Sequence, residues 1–421
     1  GRQTAVGLYS STSGLTETTD PVSVDTNRVA LSQMYYDERG RVWKSERHNI
    51  DEDGTSLETL LTLTWFDPAG RVMKVDGEQL VKYVYNRVGW LIDTAVLASD
   101  DDSAYSTSPT TTSVAIWDAA GGRTHLEGDK ILQEQRTSYE TTTGNALMRA
   151  TIGRHHGDTS GTGPLDSNAD ADLMKYTAAN ITGRIQITSM WYDELDRLEE
   201  TVAYGTYGIV GDGSTTTGTF DRTGMTVPSR SATALRTSYT YTYDAGGGTT
   251  RDDGRLHEVT DPGAKVARTL FDAADRTTAR IRNYVNGTPS GEAGDDDVYT
   301  RFDYAYGRMY RLWVDLDGDG TVDTSDPPDQ ATRYIYGTVK ASPSAMKITT
   351  GHLLKAVVYP DSTNPGTTTA YIDGTSSADV VSYAYNAQGQ VTYTKDQAGN
   401  IIETDYDTGG RETHRRATTV V

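Results

Sequence analysis

Five aspartates and one threonine recur at fixed offsets in the stretch DLDGDGTVDTSD: Asp315, Asp317, Asp319, Thr321, Asp323 and Asp326. Oxygen donors at alternate positions, closed by a last carboxylate, suit a hard divalent cation, because calcium takes about six to eight oxygens. Gly320 stands where such a loop must turn sharply, and Val322 offers an apolar anchor. Thr321 would lend its backbone carbonyl, and Asp323 would act through water. Five carboxylates within twelve residues repel one another, so a structural Ca2+ is expected to order the segment.

Other residue types that could do chemistry are sparse. The chain has no cysteine, which excludes disulfides and thiolate metal or redox sites. His155 and His156 form the one histidine pair, but neighbours on a strand point to opposite faces and no further ligand stands at zinc-site spacing. The glycine-rich GDGS (211–214) and GGGTT (246–250) lack the Lys-Ser/Thr of a phosphate loop, and no Gly-x-Ser-x-Gly elbow occurs. Carboxylates are plentiful, yet none is marked out as a glycosidase pair. No catalytic residue and no cofactor other than calcium is expected. A carbohydrate-active or self-cleaving activity is the residual enzymatic reading.

The elements that would position the loop are set by a repeat. YYDERGRV (35–42), WFDPAGRV (65–72) and WYDELDRL (191–198) share one frame: two aromatics, Asp, two variable residues, Gly or Asp, Arg, apolar. Looser copies are YVYNRVGWL (83–91), AIWDAAGGR (115–123), TLFDAADRT (269–277), YAYNAQGQV (383–391) and TDYDTGGRE (404–412). Asp opens a tight turn by accepting from the backbone ahead of it, and Gly three residues on takes a positive φ without steric cost. Asp-x-x-Gly between alternating segments therefore predicts a short hairpin with a bulge. Aromatics at i and i+2, as at Tyr83/Tyr85, Tyr304/Tyr306, Tyr334/Tyr336 and Tyr383/Tyr385, share one face of a strand. In YAYGRMY (304–310) the turn is shortened to Tyr306-Gly307.

This pattern resembles the RHS/YD-repeat family, whose unit centres on Tyr-Asp-x-x-Gly-Arg-Leu, over about residues 30–415. The Asp-rich loop itself resembles an EF-hand loop and, in closing with Asp326, the dockerin type. The YD-repeat resemblance implies an all-β fold, stacked hairpins forming a spiralling β-sheet shell or tube. It also implies membership among toxin-encapsulating shells, bacterial surface proteins or adhesion proteins. TDPGAK (260–265) lacks the Gly-Leu surroundings of the family's self-cleaving core, so Asp261 is read as part of an ordinary turn. Pro327-Pro328 after the loop, and the alternating RMYRLWV before it, place the loop at a hairpin tip and give a calcium switch no helices to move.

No composition shift marks a domain boundary, so residues 1–421 read as one continuous array. Its repeats are clearest at about 30–95, 185–204, 236–315, 330–340 and 380–415. Polar stretches at about 98–113, 153–172, 205–234 and 360–379 read as long surface loops, and 315–326 as the calcium-type loop. The balance of 39 basic to 59 acidic residues, net charge -20, disfavours nucleic acid and anionic lipid surfaces. No apolar run approaches the roughly 18 residues of a membrane helix. Tyr outnumbers Phe by 27 to 4, as suits sheet faces that meet water.

The function expected is a non-enzymatic extracellular or cell-surface structural protein serving surface structure, adhesion or assembly. The alternative is the shell of an RHS-type toxin complex whose effector lies outside this segment. Expected partners are further copies, the rest of a larger chain of which this is an internal fragment, or glycan and cell-surface contacts; nucleic acid and membrane insertion are not expected. A secretion signal would lie outside the segment.

Overall fold

In a computed structural model, the structure describes residues 4–10, 20–23, 27–51, 55–101, 126, 128–158, 161–165, 175–176, 183–209, 220–244, 250–289, 296–316, 318–321, 330–340, 345–360 and 380–419. All regular elements among them are strands; the protein is all-β, built of stacked antiparallel hairpins. No helix is long and apolar enough to cross a membrane. The chain divides into two compact units, 1–237 and 238–421, where the sequence reads as one array. The division falls inside the strand Leu235–Thr240, where no composition shift could mark it.

In the first unit the long strands form one antiparallel meander. The meander runs from Ala5–Tyr9 and Arg28–Tyr36 through Val42–Ile50, Ser56–Phe66, Val72–Asp76, Leu80–Tyr85, Leu91–Ser99, Lys130–Tyr139, Ala146–Arg154 and Gly183–Tyr192 to Leu198–Ile209. Period-two burial puts Met148, Ala150 and Ile152 on one face with Ile185 and Ile187 of the neighbouring strand. Leu126, Leu165 and Phe220, none of them in the meander, close over this core. Leu165 and Phe220 lie in stretches that read as polar surface loops. They are buried because a sheet with one apolar face needs a cover, and these few apolar residues supply it. The reading of 205–234 as loop is corrected further: the strand runs on to Ile209, and Phe220–Asp221 pairs with Lys175–Tyr176.

The second unit is a meander of the same kind, from Leu235–Thr240 and Glu258–Thr260 through Val266–Phe271, Thr277–Tyr284, Val298–Ala305, Arg308–Asp315, Gln330–Thr338, Thr350–Val358, Val380–Tyr385, Val391–Lys395 and Ile401–Tyr406 to Glu412–Thr419. Its apolar clusters are small, and the last strand is exposed on both faces.

The repeat frame forms the hairpin turn that its sequence predicts. At Asp37 the backbone N–H donates to the Arg41 carbonyl and receives Gly40 N–H on its own carbonyl, both at 2.9 Å. Gly40 has φ 81°. Where the frame has Asp in place of Gly, at Asp196 and Asp275, the side chain is forced to the same positive φ, 60° and 62°. The ladder slips by one residue at the aromatic before Asp or Asn: at Tyr36, Phe66, Tyr85, Tyr192, Phe271, Tyr385 and Tyr406. This is the bulge. The shortened turn is also as read: Ala305 pairs with Arg308 across Tyr306 and Gly307, both at positive φ.

Candidate functional site

Two jobs fall to the arginine of the frame. The Arg41 amide donates to Asp37 Oδ1 at 2.8 Å and its Nε to Oδ2 at 2.7 Å, so one carboxylate is clasped by backbone and guanidinium together. Asp67–Arg71, Asp193–Arg197, Asp272–Arg276 and Asp407–Arg411 repeat the clasp. Copies without the arginine keep a side-chain bond across the turn: Asn386 Nδ2 donates to Gln390 Oε1, and Asn400 Nδ2 to Asp396 Oδ2. The guanidinium plane then covers the bulge aromatic of the next hairpin. Arg41 lies 4.3 Å from the Phe66 ring centre, Arg71 4.7 Å from Tyr85, and Arg276 4.5 Å from Tyr304.

The bulge tyrosine has a further task. Its hydroxyl donates back to the carbonyl of the first strand residue after an earlier turn: Tyr139 to Leu91, Tyr192 to Ala146 and Tyr406 to Val391, each at 3.0 Å. That bond gives the excess of Tyr over Phe a specific reason beyond wet surface, since Phe cannot make it.

The Asp-rich loop connects Arg308–Asp315 to Gln330–Thr338, which pair antiparallel, so it is a hairpin connection. Asp315 ends its strand with its side chain buried. Gly318 N–H donates to its Oδ1 at 2.7 Å and Gly320 N–H to its Oδ2 at 3.2 Å, and the Arg301 guanidinium pairs with the same carboxylate. Gly318 and Gly320, at φ 76° and 79°, let the chain wrap round Asp315 in this way. Asp319 accepts from the Thr321 hydroxyl and amide, each at 2.6 Å, and this holds its carboxyl below the usual range. Asp317, Asp323 and Asp326 lie outside the described residues. Among the described residues no three His, Cys, Asp or Glu side chains are grouped to hold a metal. Arg301, unseen in the sequence reading, sits on Val298–Ala305 opposite Trp313, with its guanidinium 4.5 Å from the Tyr299 ring.

A second site was not anticipated. In the second unit a cavity of about 490 Å³ is lined by Tyr243, Arg255, His257, Glu258, Arg268 and Phe271 among others. The buried His257 ring lies 4.7 Å from Tyr243 and edge-on to Phe271, with Nε2 2.9 Å from Asp253 Oδ1. Arg255 reaches Asp253 and Asp275 and covers Phe271 at 4.8 Å, while Arg268 pairs with Glu258 and covers Tyr284 at 3.5 Å. Arg255, and after it His257, hold the Asp253 carboxyl well below its ordinary range. The cavity thus combines aromatic rings with guanidinium–carboxylate pairs of cancelling charge, a surface suited to an uncharged ligand rich in hydroxyls with an apolar face. Its sequence signal was RDDGRLHE (251–258), a degenerate frame with one residue fewer between Asp and Gly.

His155 and His156 stand beyond the end of Ala146–Arg154, exposed, within the stretch read as a surface loop, with ring centres 4.2 Å apart. Asp261 opens an ordinary frame turn, with Ala264 at φ 65°.

No family model matches the chain, and no curated protein does. Among solved structures, 41 chains match. The crystal structure of TcdB2-TccC3 without its hypervariable C-terminal region shares 13% identity, over 99% of this chain and 20% of that one, at a TM-score of 0.23. A second crystal structure of TcdB2-TccC3 gives the same values, and TcdB2-TccC3-TEV gives 12% identity, 93% and 22% coverage, and 0.22. The chain spans about a fifth of the length of these proteins.

Proposed function

We propose that this chain is a non-enzymatic structural segment of an extracellular YD-repeat protein, its hairpins winding into a shell or tube. The observation that supports the reading best is the recurring joint between hairpins. At several turns an Asp–Arg clasp closes the hairpin and its guanidinium covers the next bulge aromatic, and at others a tyrosine hydroxyl ties back to an earlier strand. Such nearest-neighbour joints suit a fold that grows by adding units. In this reading Asp315, Asp317, Asp319, Thr321, Asp323 and Asp326 hold a structural calcium ion at a hairpin tip, and the wrap of Gly318 and Gly320 about Asp315 is the supporting feature. The aromatic cavity serves as a contact for a sugar unit on a cell surface, and further copies or the rest of a longer chain continue the assembly.

Sedimentation velocity over a range of concentrations tests the scaffold role. A compact species unchanged by concentration supports a self-contained shell segment, and growth with concentration supports a fibre. An extended, poorly sedimenting monomer contradicts both.

A further inference from the structure

Lys74 and Lys82 face one another across paired strands and are both fully buried. Two like charges opposite each other in a dry site are costly unless carboxylates intervene. Asp100 and Asp129 do so, each from the end of a different strand. Lys82 Nζ lies 2.9 Å from Asp129 Oδ1 and 2.8 Å from Oδ2, with both residues fully buried. Asp100 lies 2.5 Å from Lys74 and 3.8 Å from Lys82 Nζ. The backbone N–H of Asp101 donates to Asp129 Oδ1 at 3.3 Å, and Gly163 N–H fixes the Asp129 carbonyl at 2.8 Å.

We propose that Lys82 and Asp129 condense to an intramolecular isopeptide bond, with Asp100 as proton shuttle and the Asp101 amide as the donor that stabilises the developing oxyanion. The amine and carboxyl are held together without water between them, which replaces an encounter in solution by a unimolecular step. Burial pushes the Asp129 carboxyl up, and in the proposed step the proton passes from the Lys82 ammonium to that carboxylate. Lys74 pairs with Asp100 and holds that third group beside Lys82.

The step balances without oxidant or reductant. Lys82 Nζ, as free amine, bonds to Cγ of the protonated Asp129. The proton it sheds passes by way of Asp100 to the Oδ2 hydroxyl, whose bond to Cγ breaks, and one water leaves. An amide between Nζ and Cγ remains. Exclusion of solvent protects it from hydrolysis, and the buried cluster is left with one ion pair in place of two. The product ties Leu80–Tyr85 to the start of Lys130–Tyr139 across the intervening chain, in a protein that has no cysteine for a disulfide.

Intact mass spectrometry of the folded, purified chain tests this. The expected mass is lower than the sequence mass by one water, and digestion yields a branched peptide joined at Lys82 and Asp129. Lys82→Arg, which keeps the charge but cannot form the amide, and Asp129→Ala are expected at full mass. Asp100→Asn, which keeps both bonding residues, is expected at full mass or with the deficit appearing only slowly. Full mass in the parent, fresh and after long incubation of the folded protein, overturns the proposal. So does a deficit that maps to an Asp-Gly succinimide, for example at Asp319-Gly320, with no branched peptide.

Discussion

At the scale of single residues, the turn carboxylates carry charge-assisted bonds that depend on ionisation. The Arg276 guanidinium and then its amide hold Asp272 below the usual carboxylate range; the Arg411 amide and then its guanidinium do the same for Asp407. A carboxyl with a depressed folded value adds stability that is complete above its unfolded value, about pH 4, and that is lost as pH falls through the folded value. With several such turns in one chain, the melting temperature is expected to hold near neutrality and drop steeply below about pH 4. A melting temperature unchanged down to pH 2 would show that the clasps contribute nothing. The tyrosine ties make a separate prediction. Tyr192→Phe removes the bond to the Ala146 carbonyl and leaves the ring in place, so chemical denaturation should show a loss of about 0.5–1.5 kcal/mol. No loss would make that hydroxyl incidental.

At the scale of elements, the neutral turn at Asn386 shows that the two clasp positions are coupled. Gln390→Arg alone sets a guanidinium, which only donates, against the Asn386 Nδ2 donor, and Asn386→Asp alone gives up the amide bond to Gln390. Both together rebuild the charged clasp. A double-mutant cycle is expected to give a favourable coupling of about 0.5–1 kcal/mol, and simple additivity would deny the coupling. The Asp-rich loop is tested at the same scale. Calorimetry with calcium on chelator-treated protein should show binding that Asp315→Ala with Asp319→Ala abolishes, and no heat from the parent removes the site.

The hairpins themselves were legible in the sequence, because Asp, Gly and the paired aromatics each impose a local backbone state. What escaped was whatever depended on a neighbouring hairpin. The arginine reads as a mere marker until Phe66 or Tyr85 is seen beneath it. Leu165 and Phe220 read as loop because their surroundings are polar, although both are buried against the apolar face of the sheet. His257 and Arg255 were missed because the cavity takes its rings from Tyr243 and Phe271, on either side of a degenerate turn.

At the scale of the whole molecule, the joints between hairpins and the exposed last strand, Glu412–Thr419, fit a scaffold in which each unit leans on the next. Acidic charge over such a surface favours solubility and works against nucleic acid and anionic membranes. The most direct test of the scaffold reading is electron microscopy of the purified protein. The expected images show a hollow or tubular outline with a wall one sheet thick, single or joined end to end. Solid particles without a lumen, and without any end-to-end association, would contradict it.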